Sequence, residues 1–260
     1  SGSGKSLLAH AILGILPTNA TINGSILYKG EQLTEEKREK LRGKEISLVP
    51  QSVNFLNPLI KIGKQVQMSV HNGDPCKKQR EIFNRFGLNK ADKLFPFQLS
   101  GGMARRTLLS TAIVSGAKVI IADEPTPGLD FQTLEEILKT LREVADNGCA
   151  VMMITHDIES ALKIADKIAV LYAGTTVEIA PVEDFKGSGE TLRHPYSKAL
   201  WRALPQNDFI PIPGSQPNPY DLPSGCVFEP RCEHATPECR NIFPNIKNIR
   251  NGMVRCIHAT

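Results

Sequence analysis

No stretch of this 260-residue sequence approaches the roughly 18 consecutive apolar residues that a membrane-spanning helix needs. Uninterrupted apolar runs such as residues 119–122 and 150–154 have only the length of strands. The opening residues Ser1-Gly2-Ser3-Gly4-Lys5-Ser6 lack the apolar core of a secretory signal. The expectation is a cytosolic protein that meets a membrane only through a partner. Charge of one sign is also scarce: 31 basic against 27 acidic residues leave a net +4. No concentrated basic patch accompanies it, which argues against a nucleic-acid partner. There is no internal repeat. What is present, 41% hydrophobic and 22% charged residues, is enough for an ordinary globular core.

The apolar pattern gives the organisation. Residues 6–16 read as a helix, with Leu8, Ile12 and Ile15 on one stripe and Pro17 closing it. Residues 45–50 read as a short strand ending at Gln51. Residues 52–115 read as mainly helical, with loops at Asn72-Gly73-Asp74-Pro75 and Phe95-Pro96-Phe97. Residues 119–122 and 150–155 read as strands buried on both faces. Leu134, Ile137, Leu138 and Leu141 mark the helix between them, and Ile158, Ala161, Leu162 and Ala165 the helix after them. Residues 168–172 and 175–179 read as a hairpin turning at Ala173-Gly174. Alternating strands and helices predict an α/β fold with a parallel sheet. After Pro181, prolines crowd residues 205–240 and predict an irregular extension.

Ser1-Gly2-Ser3-Gly4-Lys5-Ser6 matches the second part of the phosphate-binding pattern G-x-x-x-x-G-K-[ST]. Glycines let backbone N–H groups converge on phosphate oxygens. Lys5 would neutralise the β- and γ-phosphates, Ser6 would ligate Mg²⁺, and the helix that follows would aim its dipole at the same anion. The first glycine of the pattern falls two residues before Ser1, so the chain is expected to start inside its own phosphate loop, as a truncated product. Residues 118–124 read as a buried strand ending in Asp123 and Glu124. Asp123 would hold Mg²⁺ or its waters, and Glu124 would stand where a general base can activate water. Leu99-Ser100-Gly101-Gly102-Met103 joins a serine hydroxyl and bare glycines to a helix start, the makings of a second anion site.

Taken together these motifs resemble the nucleotide-binding subunit of an ABC transporter. Gln51 matches the Q-loop, residues 99–103 the signature, Asp123-Glu124 the Walker B pair, Pro127-Gly128-Leu129-Asp130 the D-loop and His156 the H-loop. Met103 replaces the commoner glutamine of the signature, as in the peptide-uptake group. The resemblance implies a P-loop NTPase (RecA-like) core of residues 1–51 and 116–180, a helical signature subdomain at 52–115, and a C-terminal region at 181–260. It implies that Gln51 touches Mg²⁺ or the lytic water, that His156 bonds the γ-phosphate, and that Asp130 meets the partner near its phosphate loop. Ser100, Gly101 and Gly102 would bind the γ-phosphate of an ATP held by a second ATPase subunit, identical or homologous, with two ATP molecules sandwiched head to tail.

Leu41-Arg42-Gly43-Lys44-Glu45-Ile46, Leu56-Asn57-Pro58 and His194-Pro195-Tyr196-Ser197-Lys198-Ala199-Leu200 narrow the resemblance to the oligopeptide, dipeptide and nickel importers. That group implies two permease subunits, an extracytoplasmic substrate-binding protein, and a peripheral position on the cytoplasmic face of the membrane. The cargo, peptide, nickel or metal chelate, stays open. An inactive or truncated regulatory subunit and a non-transport ABC ATPase are the competing readings. Cys226, Cys232, Cys239 and Cys256 are separated by five, six and sixteen residues and lack paired C-x₂-C knuckles. Four thiolates hold a [4Fe–4S] cluster or a zinc ion. The resemblance implies the cluster, with zinc, free thiols or disulfides as alternatives.

Overall fold

The structure is a computed structural model and describes residues 4–259. The chain divides into two compact units, residues 6–164 and residues 165–259, the latter taking in residues 4–5.

In the larger unit α1 (Lys5–Leu13) ends earlier than the predicted 16. Gly14 takes φ +65°, and the N–H groups of Gly14 and Ile15 donate to the carbonyls of Ala11 (3.3 Å) and His10 (3.0 Å). This left-handed glycine cap stops the helix well before Pro17. The helix buries Ala9 and Leu13 rather than Leu8, which is 43% exposed. Its sequence is apolar on nearly every side, so periodicity alone does not select the buried face. A two-residue hairpin follows, β1 (Leu27–Tyr28) and β2 (Glu31–Gln32), then α2 (Glu35–Leu41), capped by the Thr34 hydroxyl.

The sheet is formed by β3 (Ile46–Val49), β4 (Val119–Asp123) and β5 (Ala150–Ile154), all parallel, in the order β3-β4-β5. Side chains alternate between its faces. Ile46, Ile121 and Ile154 pack with Ala9 and Leu13 of α1 on one side. Val49, Ile120 and Ala122 pack on the other with the helical segment. That segment contains α3 (Ile62–Met68), α4 (Pro75–Arg85) and α5 (Gly101–Val114). Asp74 caps α4, its carboxylate accepting from the N–H groups of Cys76 and Lys77. Between β4 and β5 runs α6 (Phe131–Asp146), which adds Ile137 and Leu141 to the same core, and α7 (Ile158–Ile164) follows β5. Each fully buried Ile or Leu here contributes about 1.5–3 kcal/mol.

The second unit opens with the predicted hairpin, β6 (Lys167–Tyr172) and β7 (Thr175–Pro181). Its two-residue turn has φ +46° at Ala173 and +77° at Gly174, the conformation that matches strand twist. Downstream lie α8 (Pro195–Arg202), α9 (Pro237–Asn241), β8 (Lys247–Ile249) and β9 (Gly252–Val254). The last two strands join the hairpin in an antiparallel sheet of order β6-β7-β9-β8. Residues 205–236, where the prolines crowd, carry only the 3-10 turn Glu229–Arg231, as those prolines predict, and the regular elements lie on either side of them. Strands of three residues are too short to show a period of two.

A buried ionic knot fixes this unit. The side chains of Glu178 and Arg193 are both 0% exposed. Arg193 donates to Glu178, to Asp184 (2.8 Å) and to the carbonyls of Ile249 (2.8 Å) and Arg250 (2.6 Å). Glu178 in turn accepts from the backbone N–H groups of Arg193 (2.8 Å) and His194 (2.9 Å). His194 caps α8: its Nδ1 accepts from the Tyr196 N–H at 3.0 Å. Burial pushes the His194 pKa down to about 4, opposed by a hydrogen bond to the Arg255 backbone.

Candidate active site

Parallel strands deliver their following residues to one edge of a sheet, where α/β proteins bind ligands. Val49 pairs with Ala122 and Asp123 with Ile154. The residues just past those positions, Gln51, Glu124 and His156, therefore leave the same carboxyl edge. Ser1, Gly2 and Ser3 lie outside the described residues. Gly4 has φ +81°, and Lys5 and Ser6 open α1.

Asp123 is 3% exposed, and its Oδ1 is buried without a hydrogen-bond partner. An unpaired buried carboxylate oxygen is costly unless a cation or donor meets it. That oxygen fits a hard divalent cation such as Mg²⁺, which takes oxygen ligands.

Glu124 has the left-handed φ of +48°, and its N–H donates to the Ile154 carbonyl at 2.8 Å. Both carboxylate oxygens stand 3.0 Å from Nδ1 of His156. An ionised carboxylate only accepts, so Nδ1 donates. The Glu124 side chain is 11% exposed and that of His156 71%. The Glu124 carbonyl accepts a hydrogen bond from the guanidinium of Arg105 on α5. Sequence reading missed this contact, because nothing local marks a basic residue on one helix as the partner of a strand end.

Ser100 caps α5, accepting from the Met103 N–H at 3.3 Å. Gly101 and Gly102 form its first turn. A Cβ at Gly101 would meet nothing within 4 Å, whereas one at Gly102 would touch the side chain of Leu129 at 3.7 Å and the Gly128 carbonyl at 3.8 Å. Asp130 caps α6 through Thr133, at 3.0 Å from its N–H and 2.7 Å from its hydroxyl. The Thr133 hydroxyl, then its N–H, hold the Asp130 carboxyl below the usual carboxylate range. Gln51 is exposed directly after β3.

The four cysteines of the C-terminal region are free of disulfides. The Cys226 N–H donates to the Cys239 carbonyl at 2.8 Å, and Cys239 Sγ lies 3.3 Å from Nε2 of His258. Cys226 and Cys232 both feel the charges of Cys239 and Cys256. Burial, the largest influence, pushes the Cys232 thiol up to about 11. Among the described residues, no three His, Cys, Asp or Glu side chains form a group that holds a metal ion. No described helix is long and apolar enough to cross a membrane.

Comparison with known proteins matches residues 1–127 to the ABC transporter family and residues 177–239 to the oligopeptide/dipeptide transporter C-terminal region. The oligopeptide transport ATP-binding protein OppD of Haemophilus influenzae is 34% identical over 98% of this chain and 84% of its own. The dipeptide transport ATP-binding protein DppD of Escherichia coli is 35% identical over 97% and 82%. Among solved structures, dimeric MJ0796, described as a bacterial ABC transporter cassette, superposes with TM-score 0.62 at 27% identity, over 72% of this chain and 83% of that one. A post-hydrolysis dimer of the same cassette bound to ADP and Pi gives 0.61 at 26%, over 71% and 82%. The parallel sheet with acidic and histidine groups at its carboxyl edge, and these identities across most of both chains, place the chain in the ABC transporter family, among the ATP-binding proteins of oligopeptide and dipeptide transport.

Proposed function

We propose that this ABC-type ATPase drives peptide import by closing, with a second ATPase subunit, around two ATP molecules. The observation that carries this reading is the pairing of Glu124 with His156 beside the unpartnered Oδ1 of Asp123. In this reading Lys5, Ser6 and the N–H groups of the phosphate loop hold the ATP phosphates. Asp123, Ser6 and Gln51 hold Mg²⁺, which when bound neutralises charge on the phosphates. Glu124 accepts a proton from the attacking water. His156 releases Glu124 for that task by turning toward the γ-phosphate.

Ser100, Gly101 and Gly102 approach the γ-phosphate bound by the facing subunit, where Asp130 also lies. ATP favours the closed pair because only closure adds these donors. Water leaves as the site closes, and each remaining charge contact strengthens. Loss of the γ-phosphate removes the bridge and the pair reopens. The exposed Gln51 passes this movement to permease subunits, while a separate binding protein selects the cargo. The relatives named above support peptides rather than nickel as that cargo.

The test is Glu124→Gln in the full-length protein. A stable ATP-bound dimer with nearly abolished turnover is the expected result, and wild-type turnover rejects the base assignment. A [4Fe–4S] cluster on Cys226, Cys232, Cys239 and Cys256 rests on the family resemblance alone, since the described residues form no metal-holding group. No step of the mechanism runs through it. Iron and acid-labile sulfide in anaerobically purified protein are the readout, and protein free of iron rejects it.

A further inference from the structure

We infer that Arg105 is a positioning residue for ATP hydrolysis, holding the backbone of Glu124 in the conformation that aims its carboxylate at the reacting water. This rests on the reading of Glu124 as the general base.

A φ of +48° is uncommon for a residue with a side chain. Such a conformation persists only where the surroundings over-determine it. At Glu124 two clamps do so. The N–H is fixed by the Ile154 carbonyl of β5, at 2.8 Å. The carbonyl is fixed by the Arg105 guanidinium, which reaches it from the second turn of α5. With both peptide planes held, the direction of the Glu124 side chain is set, and its carboxylate lands 3.0 Å from His156 Nδ1.

The Arg105 side chain makes no other hydrogen bond among the described residues. Its neighbour Arg106 is used differently, donating to the carbonyls of Phe86 (2.9 Å) and Gly102 (3.4 Å) within the helical segment. Arg105 is half-buried, and a guanidinium that gives up part of its hydration for one carbonyl needs that contact. Desolvation lowers its pKa and the charge of Glu124 raises it, as expected for a cation drawn in beside the carboxylate.

A group that only orients another in the transition state changes kcat without changing ground-state binding. The experiment is steady-state ATP hydrolysis by the full-length protein assembled with its permeases, for wild type, Arg105→Met, Arg105→Lys and Glu124→Gln, with thermal unfolding recorded for each. Arg105→Met is expected to lose about 10- to 100-fold in kcat, the cost of a displaced catalytic group. KM for ATP stays within about twofold, because the contact does not touch nucleotide. Arg105→Lys, which keeps one donor, is expected between wild type and Arg105→Met. A folded Arg105→Met at wild-type kcat overturns the inference. So does a loss in which KM rises and kcat holds. Should Arg105→Met not fold, an Arg105→Lys within twofold of wild-type kcat overturns it, and a larger loss at constant KM supports it. Inactive Glu124→Gln beside a fully active Arg105→Met rejects the positioning role alone, whereas active Glu124→Gln rejects the base reading beneath it.

Discussion

His156 Nδ1 stands 3.0 Å from each of the two carboxylate oxygens of Glu124, so the carboxylate and the imidazole hold each other. Replacing the histidine separates binding from chemistry. His156→Ala is expected to bind Mg-ATP normally, measured with a fluorescent analogue. It should hydrolyse it on the order of 100-fold more slowly, the cost of misplacing a reacting group. Loss of binding and turnover in parallel counts against the assignment.

Asp123 gives a sharper contrast between stability and activity. Its buried Oδ1 lacks a donor, and an amide is cheaper to bury than an unpaired charge. Asp123→Asn is therefore expected to be at least as stable as wild type without nucleotide. Ligand stabilisation reaches about 2.7 kcal/mol at a hundredfold excess over Kd, and the variant should lose most of the rise in Tm that Mg-ATP produces. A normal Mg-ATP shift in Asp123→Asn removes the carboxylate from the cation site.

Gly101 has open space around the position of a Cβ. Alanine there strains nothing within the chain and favours helix by up to ~1 kcal/mol. Gly101→Ala is expected to keep or raise Tm while weakening ATP-dependent dimerisation, read by light scattering in a Glu124→Gln background. Undiminished pairing shows that the signature glycine is not at the interface.

Acid should loosen the C-terminal unit through His194. Its folded pKa of about 4 lies below the ordinary 6.5, so the unfolded chain takes up the proton first. The contribution is fully present above pH 6.5 and is lost as pH falls toward 4, amounting to about 3 kcal/mol. His194→Asn retains a capping side chain but does not titrate. Its stability, followed by urea denaturation monitored at Trp201, should fall less steeply across that window. An unchanged slope dismisses His194 as the titrating group.

The central strand was readable because burial on both faces leaves a continuous run in residues 119–122, whereas residues 150–154 form the expected strand with only Ile154 buried, at the edge of the described sheet. The α6 stripe was readable because it faces one core. Glu124 and His156 stood out separately, from their motifs, and the fold brings them together across neighbouring strand ends. The hairpin of β1 and β2 and the pair β8 and β9 carry two or three residues per strand. Their pairing comes from tertiary contacts rather than local pattern. The left-handed backbone of Glu124 and its bond to Arg105 were equally invisible, since a residue 19 positions away supplies the donor.

The strand order β6-β7-β9-β8 has a consequence for synthesis on the ribosome. The described strands of the larger unit's parallel sheet have all emerged once residue 154 has left the ribosome. The antiparallel sheet of the second unit waits for residues 247–254, and the carboxylate of Glu178 and the guanidinium of Arg193 wait with it for the carbonyls of Ile249 and Arg250. A nascent chain halted in between carries the described parallel strands while its second unit is still unfinished, which makes that interval the one in which chaperones have most to protect.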